Sequence, residues 1–254
     1  MGMMSLRTGV RTLLDVLLEP HVLEGVLAWP KFSLASHRIV RALVQQGVSV
    51  ESVIDVGANV GQFCVAAAKV LTPRKIYAFE PLPSAYSRLR KNTQKLCGVQ
   101  LEHVALGERK GEVEFYVNAH SHSSSILRLG ESHRNAFPNA VETDVIRVPM
   151  TTLDRALAGI GVARPCLLKL DVQGYEDRVL EGAHDTLLAV DYIVSELSFK
   201  PMYEGERTFT DMLELMSRYG FKFIRPLDFL RDPATQEILQ VDGLFERMRP
   251  MRNA

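Results

Sequence analysis

Apolar residues along this chain recur with two different periods, and the alternation between the periods lays out a fold. Short β-branched runs at 52–56, 75–79, 99–104, 166–170 and 192–197 have the length of strands. Between them, 60–71, 84–96, a stretch opening at Thr151, another opening at Tyr175, and 209–218 carry the three- and four-residue spacing of helices. Strands alternating with helices predict βαβ units and a parallel sheet. Two final runs, 221–224 and 238–244, predict a hairpin-like pair that completes it.

Two stretches break this rhythm. Val10, Leu13, Leu14, Leu17 and Leu18 fall on one helical face that Pro20 is expected to end, and Leu34, Val40, Leu43 and Val44 fall on another that runs to Gly47. They predict a helical extension or cap over 1–50, ahead of a main domain at 51–254. Charges of both signs in the first helix fit a cap better than a helix lying on a membrane. Between 105 and 149, strands at 112–117 and 144–148 flank a polar stretch with His120, His122 and Ser123 to Ser125. A long polar loop inside a compact domain is usually functional or mobile.

Composition narrows the class. The 254 residues are 46% apolar, enough for one well-cored domain, and 30 Lys and Arg balance 30 Asp and Glu. Zero formal charge supplies no field for phosphate backbones or anionic lipid, so neither nucleic acid nor a membrane is an expected partner. Cys64, Cys97 and Cys166 lack CxxC spacing and lie in apolar stretches, which reads as reduced core thiols in the cytoplasm. Arg7, Arg11, Asp15 and Glu19 interrupt the N-terminal apolar run, so no signal peptide is expected, and no run is long enough to span a bilayer.

The chemistry concentrates at strand ends. Val53-Ile54-Asp55-Val56-Gly57-Ala58-Asn59-Val60-Gly61 is an apolar strand ending in an acid and a glycine turn that opens a helix. Such turns sit where open α/β sheets bind ligands, and the glycines permit sharp bending and close backbone approach. Some twenty residues on, Glu80 ends the next strand, placed to accept both hydroxyls of an adenosine ribose. That arrangement suits NAD and S-adenosylmethionine alike. A dinucleotide fingerprint read from Gly57 needs glycine where Asn59 and Gln62 stand, and read from Gly61 it meets Phe63. The pattern therefore favours a nucleotide without a pyrophosphate.

Asp55-Val56-Gly57-Ala58-Asn59-x-Gly61, Phe79-Glu80-Pro81 with Asn92, Ala105-Leu106-Gly107, Thr152-Leu153-Asp154 and Leu168-Lys169-Leu170-Asp171-Val172-Gln173-Gly174-Tyr175-Glu176 together resemble the FkbM family of S-adenosylmethionine-dependent methyltransferases. The resemblance covers about 52–197. It implies a class I methyltransferase fold, a Rossmann-like, seven-stranded, mostly parallel sheet with helices on both faces, and methyl transfer to hydroxyls of sugars or natural products. The chain departs from the pattern at Gln173, where many members carry Glu.

On this reading Asp55, Gly57, Asn59 and Gly61 hold the methionine end of S-adenosylmethionine, Glu80 the ribose, and Pro81, Leu82, Val104 and Ala105 the ribose and adenine side. Asp171, ending the fourth strand beside the cleft, is the candidate general base or acceptor orienter, with helix capping as its plain alternative. Lys169 lies on the same strand face and could pair with a carboxylate, and Glu196 ends the fifth strand as another cleft acid. His122 could accept a hydroxyl proton, and Ser124 could bind the cofactor carboxylate, although the whole segment also reads as a solvated loop. No metal is expected. The acceptor is a small hydroxylated molecule, and the N-terminal helices could pair two copies. The competing readings are an NAD-linked oxidoreductase and a non-catalytic binding protein with the same fold.

Overall fold

The computed structural model describes residues 20–119 and 121–248. Within them the chain runs α1 (Pro20–Ala28), α2 (Leu34–Gln45), β1 (Ser52–Val56), α3 (Gln62–Val70), β2 (Lys75–Phe79), α4 (Pro83–Thr93), β3 (Val99–Glu102), β4 (Ala105–Leu106), β5 (Gly111–Asn118), a 3-10 turn (Ser121–Ser123), α5 (Glu131–Ala136) and β6 (Glu142–Thr151). It continues through α6 (Leu153–Ala156), β7 (Cys166–Leu170), α7 (Glu176–Glu181), α8 (His184–Leu187), β8 (Tyr192–Ser198), α9 (Phe209–Arg218), β9 (Phe221–Arg231) and β10 (Ile238–Arg247).

Seven strands form the expected sheet, in the order β3-β2-β1-β7-β8-β10-β9. The first five pair in parallel, and β10 runs antiparallel to both β8 and β9. Strand order reverses between β1 and β7, so the crevice at their carboxyl ends is the topological site for a ligand. Period-two alternation gives the sheet two apolar faces. Ile54, Val56, Leu168, Leu170 and Ile193 pack with Val179 and Leu180 of α7 and Met212 and Met216 of α9. Val53, Leu167, Val194 and Leu244 point the other way, onto Phe63, Cys64 and Ala67 of α3 and Leu89 of α4. Ile39, Val40 and Leu43 of α2 belong to that same buried cluster, so α2 covers the sheet directly.

The structure revises several sequence expectations. A helix not expected from the sequence, α1, opens at Pro20, and proline is compatible with a first helical turn. The face from Val10 to Leu18 lies outside the described residues. β3 stops at Glu102, two residues early, because Ala105 and Leu106 leave the main sheet to pair in parallel with β6. The strands expected at 112–117 and 144–148 are present and longer, and β5 pairs with β6 antiparallel in a second, three-stranded sheet separate from the main one. Phe115, Val148 and Met150 seat it on Val60, Leu82 and Ala85. β9 extends to Arg231, past Pro226, held to β10 through three irregularities in register, at Ile238/Gln240, Asp242/Gly243 and Leu244/Phe245 of β10. Cys64 and Cys166 are buried free thiols as expected, whereas Cys97 is exposed.

Burial predicts where this fold is sensitive. Leu168, fully buried at the centre of β7, should lose about 2–5 kcal/mol of unfolding free energy on replacement by alanine. Leu188→Ala, at a side chain 70% exposed, should stay within about 0.5 kcal/mol in the same urea titration.

Candidate functional site

The turn after β1 exists only because position 57 has no side chain. Gly57 takes φ +80°, and a Cβ there would stand 1.9 Å from the carbonyl oxygen of Asp171. The β1 and β7 turns therefore touch backbone to backbone. Gly57 and Ala58 both donate their N–H groups to the Phe79 carbonyl at 3.0 Å, which ties the same turn to β2. Glu80 completes the brace: Oε2 accepts from the Asn59 N–H at 2.8 Å and Oε1 from the Leu82 N–H at 2.7 Å. Burial pushes the Glu80 carboxyl up to about 7, against the lowering effect of these two bonds.

A cavity of about 560 Å³ opens above this brace, bounded by Gly57, Asn59, Glu80 and Pro81 on one side and by Ala105, Phe115 and Ser124 of the second sheet and its loop on the other. His103 stacks on Tyr86 at 4.6 Å and its Nε2 lies 3.0 Å from the Pro81 carbonyl, which supports the cavity wall from outside. Each Glu80 oxygen has one backbone partner and keeps a lone pair for a vicinal diol, so the residues present fit an adenosine ribose.

A second cavity, about 1370 Å³, adjoins the first. Gly57, Asn59, His122, Asp171 and Gln173 line both. The larger space runs over Lys169, Glu196, Asp242 and Asp228 to Ser36 and Ile39 of α2 and to Phe229 and Leu230 on β9. Its polar floor follows from strand register: Asp55 lies opposite Lys169, Asp242 opposite Glu196, and Asp228 opposite Asp242. Like charges directly opposite one another destabilise a sheet, so nothing in the packing alone accounts for this row.

Lys169 balances it. Its side chain is 6% exposed, and its Nζ lies 2.7 Å from Asp171 Oδ2. Burial would lower the ammonium, but Asp171 and Asp55 outweigh that and hold it above its ordinary range. Burial would likewise raise Asp171, yet Lys169, the Gln173 amide and His122 together keep its carboxyl below the usual range. Gln173 Nε2 donates to Asp171 Oδ1 at 2.6 Å and to Glu196 Oε2 at 3.1 Å. Glu196 is driven well up, by burial first and then by Asp171 and Asp242, and burial and Asp171 push Asp242 up to about 7. At neutral pH the floor thus holds an ionised Asp171 beside a protonated Glu196.

His122 stands where the cavities meet. The Ser121 hydroxyl donates to Asn59 Oδ1 at 3.2 Å, which turns the Asn59 amide nitrogen toward His122 Nδ1 at 3.4 Å. The Asn59 amide nitrogen thus faces Nδ1, and on the other side of the ring the Gln62 amide nitrogen lies 3.1 Å from Nε2.

Of the sequence-derived candidates, Gly57, Asn59, Glu80, Pro81, Ala105, Ser124, Asp171 and His122 line the first cavity, and Lys169 and Glu196 line the second. Four do not reach either. Asp55 is fully buried because period two aims it at α3 and not into the crevice, and neither oxygen has a hydrogen-bond partner; burial pushes it up to about 6 against Lys169. Gly61 instead caps α3 at φ +93°, against Leu89 and Thr93. Leu82 contributes its N–H to Glu80 while its side chain packs in the core, and Val104 packs against the buried core on the α7 face. Asp171 caps no helix, since both its oxygens serve Lys169 and Gln173. His120 lies outside the described residues. Asp228, Asp242 and Gln240 escaped sequence reasoning, because only strand register brings them here. Among the described residues, no set of three or more His, Cys, Asp or Glu is arranged to hold a metal ion, and no helix is long and apolar enough to cross a membrane.

Comparison with known proteins gives a consistent answer. Residues 55–223 match the profile of the Methyltransferase FkbM domain. The chain is 26% identical over 196 residues to the 2-O-methyltransferase NoeI of Sinorhizobium fredii, spanning 75% of this chain and 80% of that protein. It is 26% identical over 219 residues to the 31-O-demethyl-FK506 methyltransferase FkbM of Streptomyces tacrolimicus, spanning 74% and 80%. The solved fibrillarin/Nop5p complex shares the fold, with a TM-score of 0.50 at 12% identity over 85% of this chain and 83% of that one.

The Glu80 brace yields a pH prediction. A carboxyl raised from 4.5 to about 7 on folding holds its proton more tightly in the native state, so its contribution is full below pH 4.5 and is lost as pH rises through 7. The stability of the ligand-free protein relative to its Glu80→Gln variant should therefore fall by roughly 3 kcal/mol between pH 4.5 and 8 in paired denaturant titrations. A difference that stays constant over that range would refute the assignment.

Proposed function

The chain belongs to the Methyltransferase FkbM domain family, and on that premise we propose that it is an S-adenosylmethionine-dependent O-methyltransferase acting on a hydroxyl of a sugar or secondary metabolite. The observation that carries this reading is the junction of two cavities at His122 and Asp171, one fitted to an adenosine and the other open to an acceptor. The sulfonium of S-adenosylmethionine supplies the electrophilic methyl group, so the protein has to align an acceptor oxygen and remove its proton.

The residues divide these tasks. Glu80 receives the ribose hydroxyls, Pro81 and Ala105 flank the adenine side, and Gly57, Asn59 and Ser124 face the methionine end. Asp171 offers a fixed negative charge beside the reacting centre, but with a donor on each oxygen it is a poor proton acceptor and serves to orient. His122 is the proton acceptor: it lines both cavities, and its Nδ1 contact with Asn59, at 3.4 Å, is long enough for a hydroxyl to displace. Lys169 is the counter-ion that keeps Asp171 ionised. The names of the two relatives, each an O-methyltransferase or a demethyl-compound methyltransferase, support a hydroxyl acceptor. The zero net charge supports a small molecule over a nucleic acid.

Calorimetric titration with S-adenosylhomocysteine and with NAD separates this reading from the oxidoreductase. Binding of the first alone is expected, and binding of NAD alone would overturn it. With an acceptor identified by transfer of a labelled methyl group, His122→Ala should lower kcat about 10²–10⁴-fold while S-adenosylhomocysteine affinity changes only a few-fold. An unchanged kcat would remove His122 from the chemistry.

A further inference from the structure

The Gln173 side-chain amide is committed at both ends, and so is its backbone carbonyl. The Tyr203 hydroxyl donates to its Oε1 at 2.6 Å, and the Ser125 hydroxyl donates to its backbone carbonyl at 2.7 Å. Its Nε2 faces Asp171 Oδ1 and Glu196 Oε2. Its backbone sits at φ +59°, a left-handed conformation that a residue other than glycine adopts only where its surroundings impose it.

Tyr203 fixes which way the amide points. The tyrosine is 1% exposed, and burial pushes its phenol well up, so it stays a protonated donor. With Oε1 held on that donor, the NH2 group has to face the two carboxyl groups. The reversed amide would set an oxygen against two carboxyl oxygens and two N–H groups against a hydroxyl. The bridge therefore has one arrangement. It also adds no charge at a point where Asp171 already meets the Lys169 ammonium and the acids Asp55, Glu80 and Glu196.

Accepting the methyltransferase reading, on which this rests, we propose that Gln173 is a positioning residue: its amide, oriented by Tyr203, holds the Asp171 carboxylate apart from Glu196 and aims its charge at the reacting methyl group. Without the bridge, Asp171 and Glu196 would be left to share a proton directly, as neighbouring carboxyls do, and the charge facing the cleft would be diluted.

S-adenosylmethionine carries the sulfonium charge and S-adenosylhomocysteine does not, so the ratio of their affinities reads that field without any acceptor. In calorimetric titrations at pH 7.5, Gln173→Met should weaken S-adenosylmethionine at least five-fold while S-adenosylhomocysteine stays within two-fold. Tyr203→Phe removes one hydroxyl only and should move the ratio in the same direction by less, which keeps the test available should Gln173→Met fail to fold. A ratio within two-fold of the wild-type value in both variants overturns the proposal, as does an equal loss of both ligands, which would mark a merely structural role. Wild-type protein that binds neither ligand would instead remove the methyltransferase reading beneath it.

Discussion

The buried ammonium of Lys169 is the counter-charge on which the cleft depends. It sits on β7 opposite Asp55 and ion-paired with Asp171, at the head of a row that continues through Glu196, Asp242 and Asp228. Removing one partner of a buried pair leaves an uncompensated charge and costs about 3–5 kcal/mol, more than most surface changes. The row is held because one cation neutralises the ionised carboxylate while burial and neighbouring charge raise the carboxyls of Glu196 and Asp242. A floor of this kind offers hydroxyl groups both donors and acceptors.

Around that row, the turns are fixed by contacts that admit almost no variation. The hydrogen at Gly57 is what lets β1 and β7 meet, and the single carboxylate of Glu80 joins the turns after β1 and β2. The cofactor side of the cleft is thus rigid by construction, because two backbone turns and one side chain define it together. The opposite wall comes from the small sheet of β4, β5 and β6, seated on Val60, Leu82 and Ala85.

Much of this was legible in the sequence, and the reasons are local. The five-residue strands 52–56 and 166–170 carry Val53-Ile54 and Leu167-Leu168 buried on both faces, so the central sheet follows from them. Gly57 and Glu80 stand next to such runs, which places them at strand ends. Asp55 stands in β1 beside that turn but faces α3, outside both cavities, a distinction that needs the strand's orientation. β5 and β6 were legible as strands, but their pairing with β4 into a separate sheet rests on long-range register that no local pattern carries. Asp228 and Asp242 belong to no motif, and only the register of β9, β10 and β8 brings them beside Glu196.

The hairpin of β9 and β10 has a consequence for how such a site can change. Phe229, Leu230 and Asp228 line the second cavity, yet they lie on the outermost strand, on the far side of β10 from the parallel core. Its pairing already tolerates irregular register and a proline. Substitutions there reshape the second cavity without touching the turns after β1 and β2 that bound the first. The two cavities are therefore free to diverge separately, one at the margin of the sheet and the other at its centre.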